Sequence, residues 1–176
     1  MGTEAIKSAQ LTDLDALPMV VHTVGEGAPG FEKVVTGSAA VTSGKTTGST
    51  YQLVRIPSNA KVKKVELWLD AASTTITGDI GIYYSSSTQD GTRKDLQGTV
   101  INADHFGSAV ALAAVVTPTE YTFEATTYLG ADLDNPVWKA SGGLTADPFC
   151  WIDVVLTLTS TAGAAAQVNA RVTYVE

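Results

Sequence analysis

Residues Tyr51 to Tyr84 read YQLVRIPSNAKVKKVELWLDAASTTITGDIGIYY, and this stretch decides the fold class. Tyr51, Leu53 and Arg55 alternate with Gln52, Val54 and Ile56. Pro57-Ser58-Asn59 then breaks the alternation, because proline has no N–H to offer a ladder and Ser and Asn suit a turn. A second run places Val65, Leu67 and Leu69 on one face and Lys64, Glu66, Trp68 and Asp70 on the other. Ser73 to Thr77 form the next connection, and Ile80, Ile82 and Tyr84 share one face of a third run, with Gly81 between. Period-two alternation bounded by turn residues is the mark of half-buried antiparallel strands. The block holds no catalytic motif.

The same pattern returns at the C-terminus. Cys150, Ile152, Val154, Leu156 and Leu158 form one face, with Trp151, Asp153, Thr157 and Thr159 opposite. After a turn at Thr161 to Ala164, Val168, Ala170, Val172 and Tyr174 point one way and Gln167, Asn169, Arg171 and Thr173 the other. This pair reads as a long β-hairpin that closes the fold. Lys33 to Thr42 reads as a strand with a bulge or bend at Gly37, and Ser43 to Ser49 as a loop. Gly44-Lys45-Thr46 lacks the earlier glycine and the following helix of a phosphate-binding loop. Asn102 is placed to cap a helix running through His105 to Val110, and Thr119 to Ala125 alternates with Tyr121 and Phe123 on one face. Asn135-Pro136 opens a second helix that Gly142-Gly143 ends.

Residues 1–32 differ in character from the sandwich expected over 33–176. Thr12 is placed to cap one or two helical turns that Pro18 stops, Met19 to Val24 is a short extended run, and Gly25 to Gly30 has linker composition. Two readings of this segment stand: an arm ordered mainly by a partner, or an arm folded back as an edge strand. The whole predicts an all-β fold, a two-sheet antiparallel sandwich of jelly-roll type with one or two short helices and an N-terminal arm.

Composition narrows function. A chain of 176 residues suits one domain with its own core. Charged residues are 16% of it, against about 25% in an average soluble domain, and hydrophobic ones 44%. A low-charge, hydroxyl-rich surface fits either a protein packed against others or a sandwich with Thr-lined strands. Net charge is −7 and the pI about 4.7, so a nucleic-acid backbone is not an expected partner. The densest basic cluster, Lys61, Lys63 and Lys64, reads as solvent-facing lysines guarding an edge strand. No membrane span and no secretory leader are expected from the apolar runs. The single cysteine, Cys150, excludes an internal disulfide and reads as a buried inert thiol.

Candidate chemistry is sparse. His22, His105, Asp104 and Ser108 supply the residue types of a hydrolytic site, but no motif places the serine on a strained elbow, and His105 reads as a helix-surface residue. Asp132-Leu133-Asp134-Asn135 begins like a calcium loop, yet Val137 and Gly143 stand where that loop needs Gly and Glu. Helix-entry capping by the acidic residues is the simpler reading. No cofactor is expected. Trp68 and Trp151 lie on polar strand faces and Trp138 on the second helix. Such indoles are covered by the chain's own loops, anchor a protein partner, or stack on sugar rings. Trp68, Trp138 and Trp151, with Met19, Val20 and Val21 of the arm, are the candidate interface residues.

LVRIPSNAKVKKVELWLDA, GDIGIYY and GTVINADHFGSAVAL, between Leu53 and Leu112, resemble segments of the head decoration (cement) proteins of tailed bacteriophages. The likeness covers about a third of the chain, in scaffold motifs without catalytic residues. It implies a β-sandwich on the outer surface of the virion capsid that partners the major capsid protein and itself, as dimer or trimer, and bridges capsomers without enzyme activity. The alternative from the residues is a carbohydrate-binding or host-adhesion module on a head fibre or tail appendage.

Overall fold

The computed structural model describes residues 3–8, 11–12, 15–16, 31–70, 76–87, 93–112, 116–126 and 128–176. Nine strands are formed among them: β1 (Ala5–Lys7), β2 (Lys33–Val41), β3 (Thr50–Pro57), β4 (Lys61–Leu69), β5 (Thr77–Tyr84), β6 (Val100–Ala111), β7 (Thr119–Glu120), β8 (Trp151–Leu158) and β9 (Ala166–Val175). A 3-10 turn at Gly130–Asp134 and a single α-helical turn at Val137–Ala140 separate β7 from β8. One sheet has the order β1-β3-β8-β5-β6 and the other β2-β9-β4-β7. The fold is an all-β sandwich.

Its topology follows from one long antiparallel ribbon. The ribbon pairs β2 with β9, β3 with β8, β4 with β7 and β5 with β6. Rolled up, it closes through β4 on β9 and β5 on β8. This is the jelly-roll arrangement. At each corner the two edges of the ribbon cross between sheets side by side. At the first, the N–H of Gly44 reaches the carbonyl of Ala162 at 2.8 Å, and the N–H of Ala162 that of Lys45 at 2.9 Å. At the second, the N–H of Ser58 donates to the carbonyl of Cys150 at 2.9 Å. At the third, the N–H of Leu112 donates to the carbonyl of Ile76 at 2.8 Å.

The alternating residues meet in the middle. Leu53, Ile56, Val65, Leu67, Ile80, Ile82, Ile152, Val154, Leu156, Val168, Ala170 and Val172 are all buried between the sheets. β9 alternates cleanly between buried and half-buried positions, as its sequence predicts. β3 and β8 are different, because most of their residues are buried on both faces. The outer face here is covered by the N-terminal segment. β1 adds to β3 in parallel, and Leu11 is buried. Of the two readings of residues 1–32, the described part takes the folded-back edge strand. Its helical turn is capped by Ser8 rather than Thr12: Ser8 Oγ accepts the N–H of Leu11 at 3.2 Å, and the carbonyl of Ser8 accepts that of Thr12 at 3.0 Å.

Several sequence expectations are corrected. β8 and β9 are not a hairpin; they lie in opposite sheets, each paired with earlier strands. Two inward faces in sequence fit a hairpin and a sandwich crossing equally well. The helix expected from Asn102 is instead β6, and three register shifts against β5 obscure its period. Only Thr119–Glu120 of the expected strand at Thr119 to Ala125 pairs; Tyr121 is buried and Phe123 exposed. Pro136, not Asn135, occupies the N-cap of the helical turn at Val137–Ala140. Asp153 does not face solvent but is buried under the N-terminal segment. β4 is not an edge strand, since it pairs with β9 on one side and β7 on the other. Gly37 is not a bulge, because β2 stays in register with β9 through it. It marks a close approach of the two sheets: a Cβ there would stand 1.9 Å from the carbonyl oxygen of Leu53.

Candidate interaction surface

The residues singled out from the sequence fall into separate places. Trp151 opens β8 opposite Pro57, and the N–H of Trp138 donates to the carbonyl of Ser58 at 3.3 Å. Both therefore stand at the second corner of the ribbon. Trp68 stands near the other end of β4, opposite Asn169 and seven residues beyond Lys61, which is about 23 Å of extended chain. All three indoles are half-buried. The candidates Met19, Val20 and Val21, with His22, lie outside the described residues.

At the second corner one turn residue does most of the joining. Ser58, 3% exposed, donates its N–H to Cys150, accepts from Trp138, and donates its hydroxyl to Asp147 Oδ1 at 2.6 Å. The same Asp147 oxygen accepts the N–H of Phe149 at 2.8 Å. That brace holds Phe149 with φ +50° and its side chain 85% exposed, the most exposed large apolar residue among those described. Val100 begins β6 at the same end, opposite Tyr83, and is also exposed. Phe149 and Val100 are thus exposed at the same end of the sandwich as the half-buried Trp138 and Trp151. Phe149 carries no pattern signal in the sequence. A Pro-Phe-Cys run before a strand looks like the strand's own inward beginning, and only the backbone conformation turns the ring outward.

The other sequence candidates have structural roles. His105 is fully buried, with its ring centroid 4.6 Å from that of Phe106 and 4.9 Å from that of Tyr128. Neither of its ring nitrogens has a hydrogen-bond partner among the described residues, and burial pushes its pKa down to about 4. It is a neutral core ring, not a helix-surface residue, and it presents no nitrogen to a substrate. Ser108 is exposed on β6. Asp132 Oδ2 accepts the N–H of Leu129 at 2.9 Å, which is the capping role. Asp134 Oδ1 and the carbonyl of Leu133 both take the Lys63 ammonium, at 2.9 and 2.7 Å. No cluster of metal-ligating side chains occurs among the described residues. Cys150 is buried, as expected.

One charged cluster escaped the sequence reading. Arg55 faces Asp153 across the β3·β8 ladder, with Nε to Oδ1 at 2.7 Å and Nη2 to Oδ2 at 3.1 Å. Its remaining nitrogen, Nη1, donates to Asp15 Oδ1 at 2.6 Å, and Asp15 also pairs with Lys7. Among the described residues, Arg55 and Lys7 face Asp153 and Asp15, and buried charges need such opposite partners. Burial alone would weaken Arg55's hold on its proton; the hydrogen bonds and charges of Asp153 and Asp15 outweigh it and keep the guanidinium charged. Burial likewise acts to raise the Asp15 carboxyl, but Arg55 and Lys7 hold it below its ordinary value. The cluster fastens the N-terminal segment to the sandwich.

No protein-family model matches the chain, and no curated protein matches it. A chain in the capsid of Ralstonia phage GP4 superposes with a TM-score of 0.57 at 17% identity, covering 98% of this chain and 97% of that one. The two chains share a fold. A chain in the capsid asymmetric unit of cyanophage Pam1 matches with a TM-score of 0.48 at 22% identity, over 92% and 96% of the respective lengths.

Proposed function

We propose that this chain is a non-enzymatic virion structural protein. In this reading it binds the outer surface of an assembled phage capsid, partners the major capsid protein and copies of itself, and stabilises the shell by bridging capsomers. The observation that carries the reading is the end-to-end fold match to a chain of a phage capsid, 98% of one against 97% of the other. The motif likeness between Leu53 and Leu112 points the same way. The net charge of −7 favours the exterior over packaged nucleic acid. Stabilisation follows by mass action, because a ligand that binds only the assembled shell lowers that state's free energy. Glycan adhesion is the weaker reading, since all three indoles are half-buried.

The test is the copy number of this chain in purified virions, measured by quantitative mass spectrometry against the major capsid protein. A ratio of one to one, or a simple fraction of it, is expected. A handful of copies per particle would point to a fibre or tail component. Absence from virions would overturn the virion role.

A further inference from the structure

Phe149 combines three features that folding by itself does not require. It is 85% exposed, so its ring contributes little to the core. It sits at φ +50°, a region that side chains other than Asn and Gly rarely adopt. And it is held there by a brace to the buried Ser58, Asp147 Oδ1 taking both the Phe149 N–H at 2.8 Å and the Ser58 hydroxyl at 2.6 Å. Backbone strain that the surroundings enforce, used to display an apolar ring, is a reason to look for a partner. The size of the site indicates which partner. An aromatic side chain buries about 150–250 Å², whereas a stable pair of proteins needs about 800 Å² on each side. Trp138 and Trp151 at the same corner are already half-covered by their own chain. A second copy would also bring another −7 of charge. One protruding ring of this size serves where a protein is held at several points on a repeating surface, so that each weak contact raises the effective concentration for the next.

We propose that Phe149, held out by the Asp147–Ser58 brace, is an anchor that inserts into an apolar pocket of the shell-forming capsid protein. The proposal rests on the capsid-binding reading and adds the contact surface to it: the ribbon corner at Ser58, not the far end of β4 that carries Trp68.

The test uses full-length protein and head shells purified without it, from the phage whose genome encodes the chain, in a cosedimentation assay. Phe149→Asn removes the ring while suiting the left-handed backbone; Phe149→Gly serves the same purpose should the first variant misfold. Val116→Asn alters an exposed apolar residue on the β6–β7 connection at the opposite end. The expected result is at least a tenfold weaker apparent affinity for the Phe149 variants, wild-type affinity for Val116→Asn, and an unchanged or higher thermal midpoint in all. Wild-type binding by the Phe149 variants would overturn the anchor and leave the capsid-binding reading standing. Failure of the wild-type protein to bind the shells would remove that reading and the anchor with it. Sedimentation equilibrium of the free protein gives the remaining check: a self-association that Phe149→Asn abolishes would make the partner a second copy and overturn the assignment.

Discussion

At the scale of single residues, close approach and burial set the sharpest expectations. A Cβ on Gly37 would meet the Leu53 carbonyl at 1.9 Å, and backbone cannot yield as a flexible side chain does. Gly37→Ala is therefore expected to cost about 3 kcal/mol, the upper range for overpacking, read as a lowered denaturation midpoint. His105 makes a different claim. Its pKa is pushed down to about 4 by burial, while in the unfolded chain it titrates near 6.5. Its contribution is complete above pH 6.5 and is lost as pH falls towards 4, because only the unfolded state takes up the proton in that window. The loss amounts to about 3 kcal/mol. Glu4, Asp15 and Glu66 are held below their ordinary values, so what they contribute is lost as pH falls from the ordinary carboxylate range downward, overlapping only the acid end of the His105 window. His105→Leu, close in volume and apolar, is expected to flatten the stability profile between pH 6.5 and 4 in urea titrations; an unchanged slope would move the acid sensitivity elsewhere. The wrong surface assignment of His105 has a simple origin. Asn102 and Asp104 resemble a helix entry, but the Asn102 side chain accepts the N–H of Asp104 at 3.2 Å inside a strand.

At the scale of elements, the N-terminal segment is bound by charge as well as by β1. Asp15→Ala removes a carboxylate from the buried Arg55 and the same partner from Lys7. The expected loss is about 2 kcal/mol, the worth of a hydrogen bond between charged groups, because Asp153 still balances Arg55. Hydrogen exchange should then speed up first at Ile6 and Lys7, where β1 meets β3. Protection that stayed uniform would show that β1 is held by the ladder alone. Ser58→Ala tests the corner. Its hydroxyl bond to Asp147 is lost while its two backbone bonds remain, so the cost is expected at about 1 kcal/mol, with the larger effect on the mobility of the loop bearing Phe149. Alternation made the strands legible, and turn residues marked where they end. It was least informative for β6, whose bulges and left-handed Ala109 interrupt the period, and for β3 and β8, where burial on both faces hid which polar residues were partners.

At the scale of the whole molecule, the rolled ribbon makes the last strand central. β9 lies between β2 and β4, so a chain ending at residue 165 loses the middle of one sheet. Such a chain is expected to show no cooperative thermal transition and rapid proteolysis; a retained transition would mean that the five-stranded sheet folds on its own. Pairing the first long strand, β2, with the last, β9, also places the molecule among slow-folding topologies, on the order of milliseconds to seconds in refolding experiments. From the sequence alone came the fold class, most strand positions, the inward faces of β4, β8 and β9, and the poverty of catalytic motifs, because period-two burial and turn chemistry are local properties that survive in one dimension. Tertiary structure alone decided that consecutive strands exchange sheets, that Asp15 and Asp153 converge on Arg55, and that Phe149 stands outward on a braced turn. Those depend on which strands lie side by side and on the sign of one backbone angle, and neither is written in the alternation of apolar and polar residues.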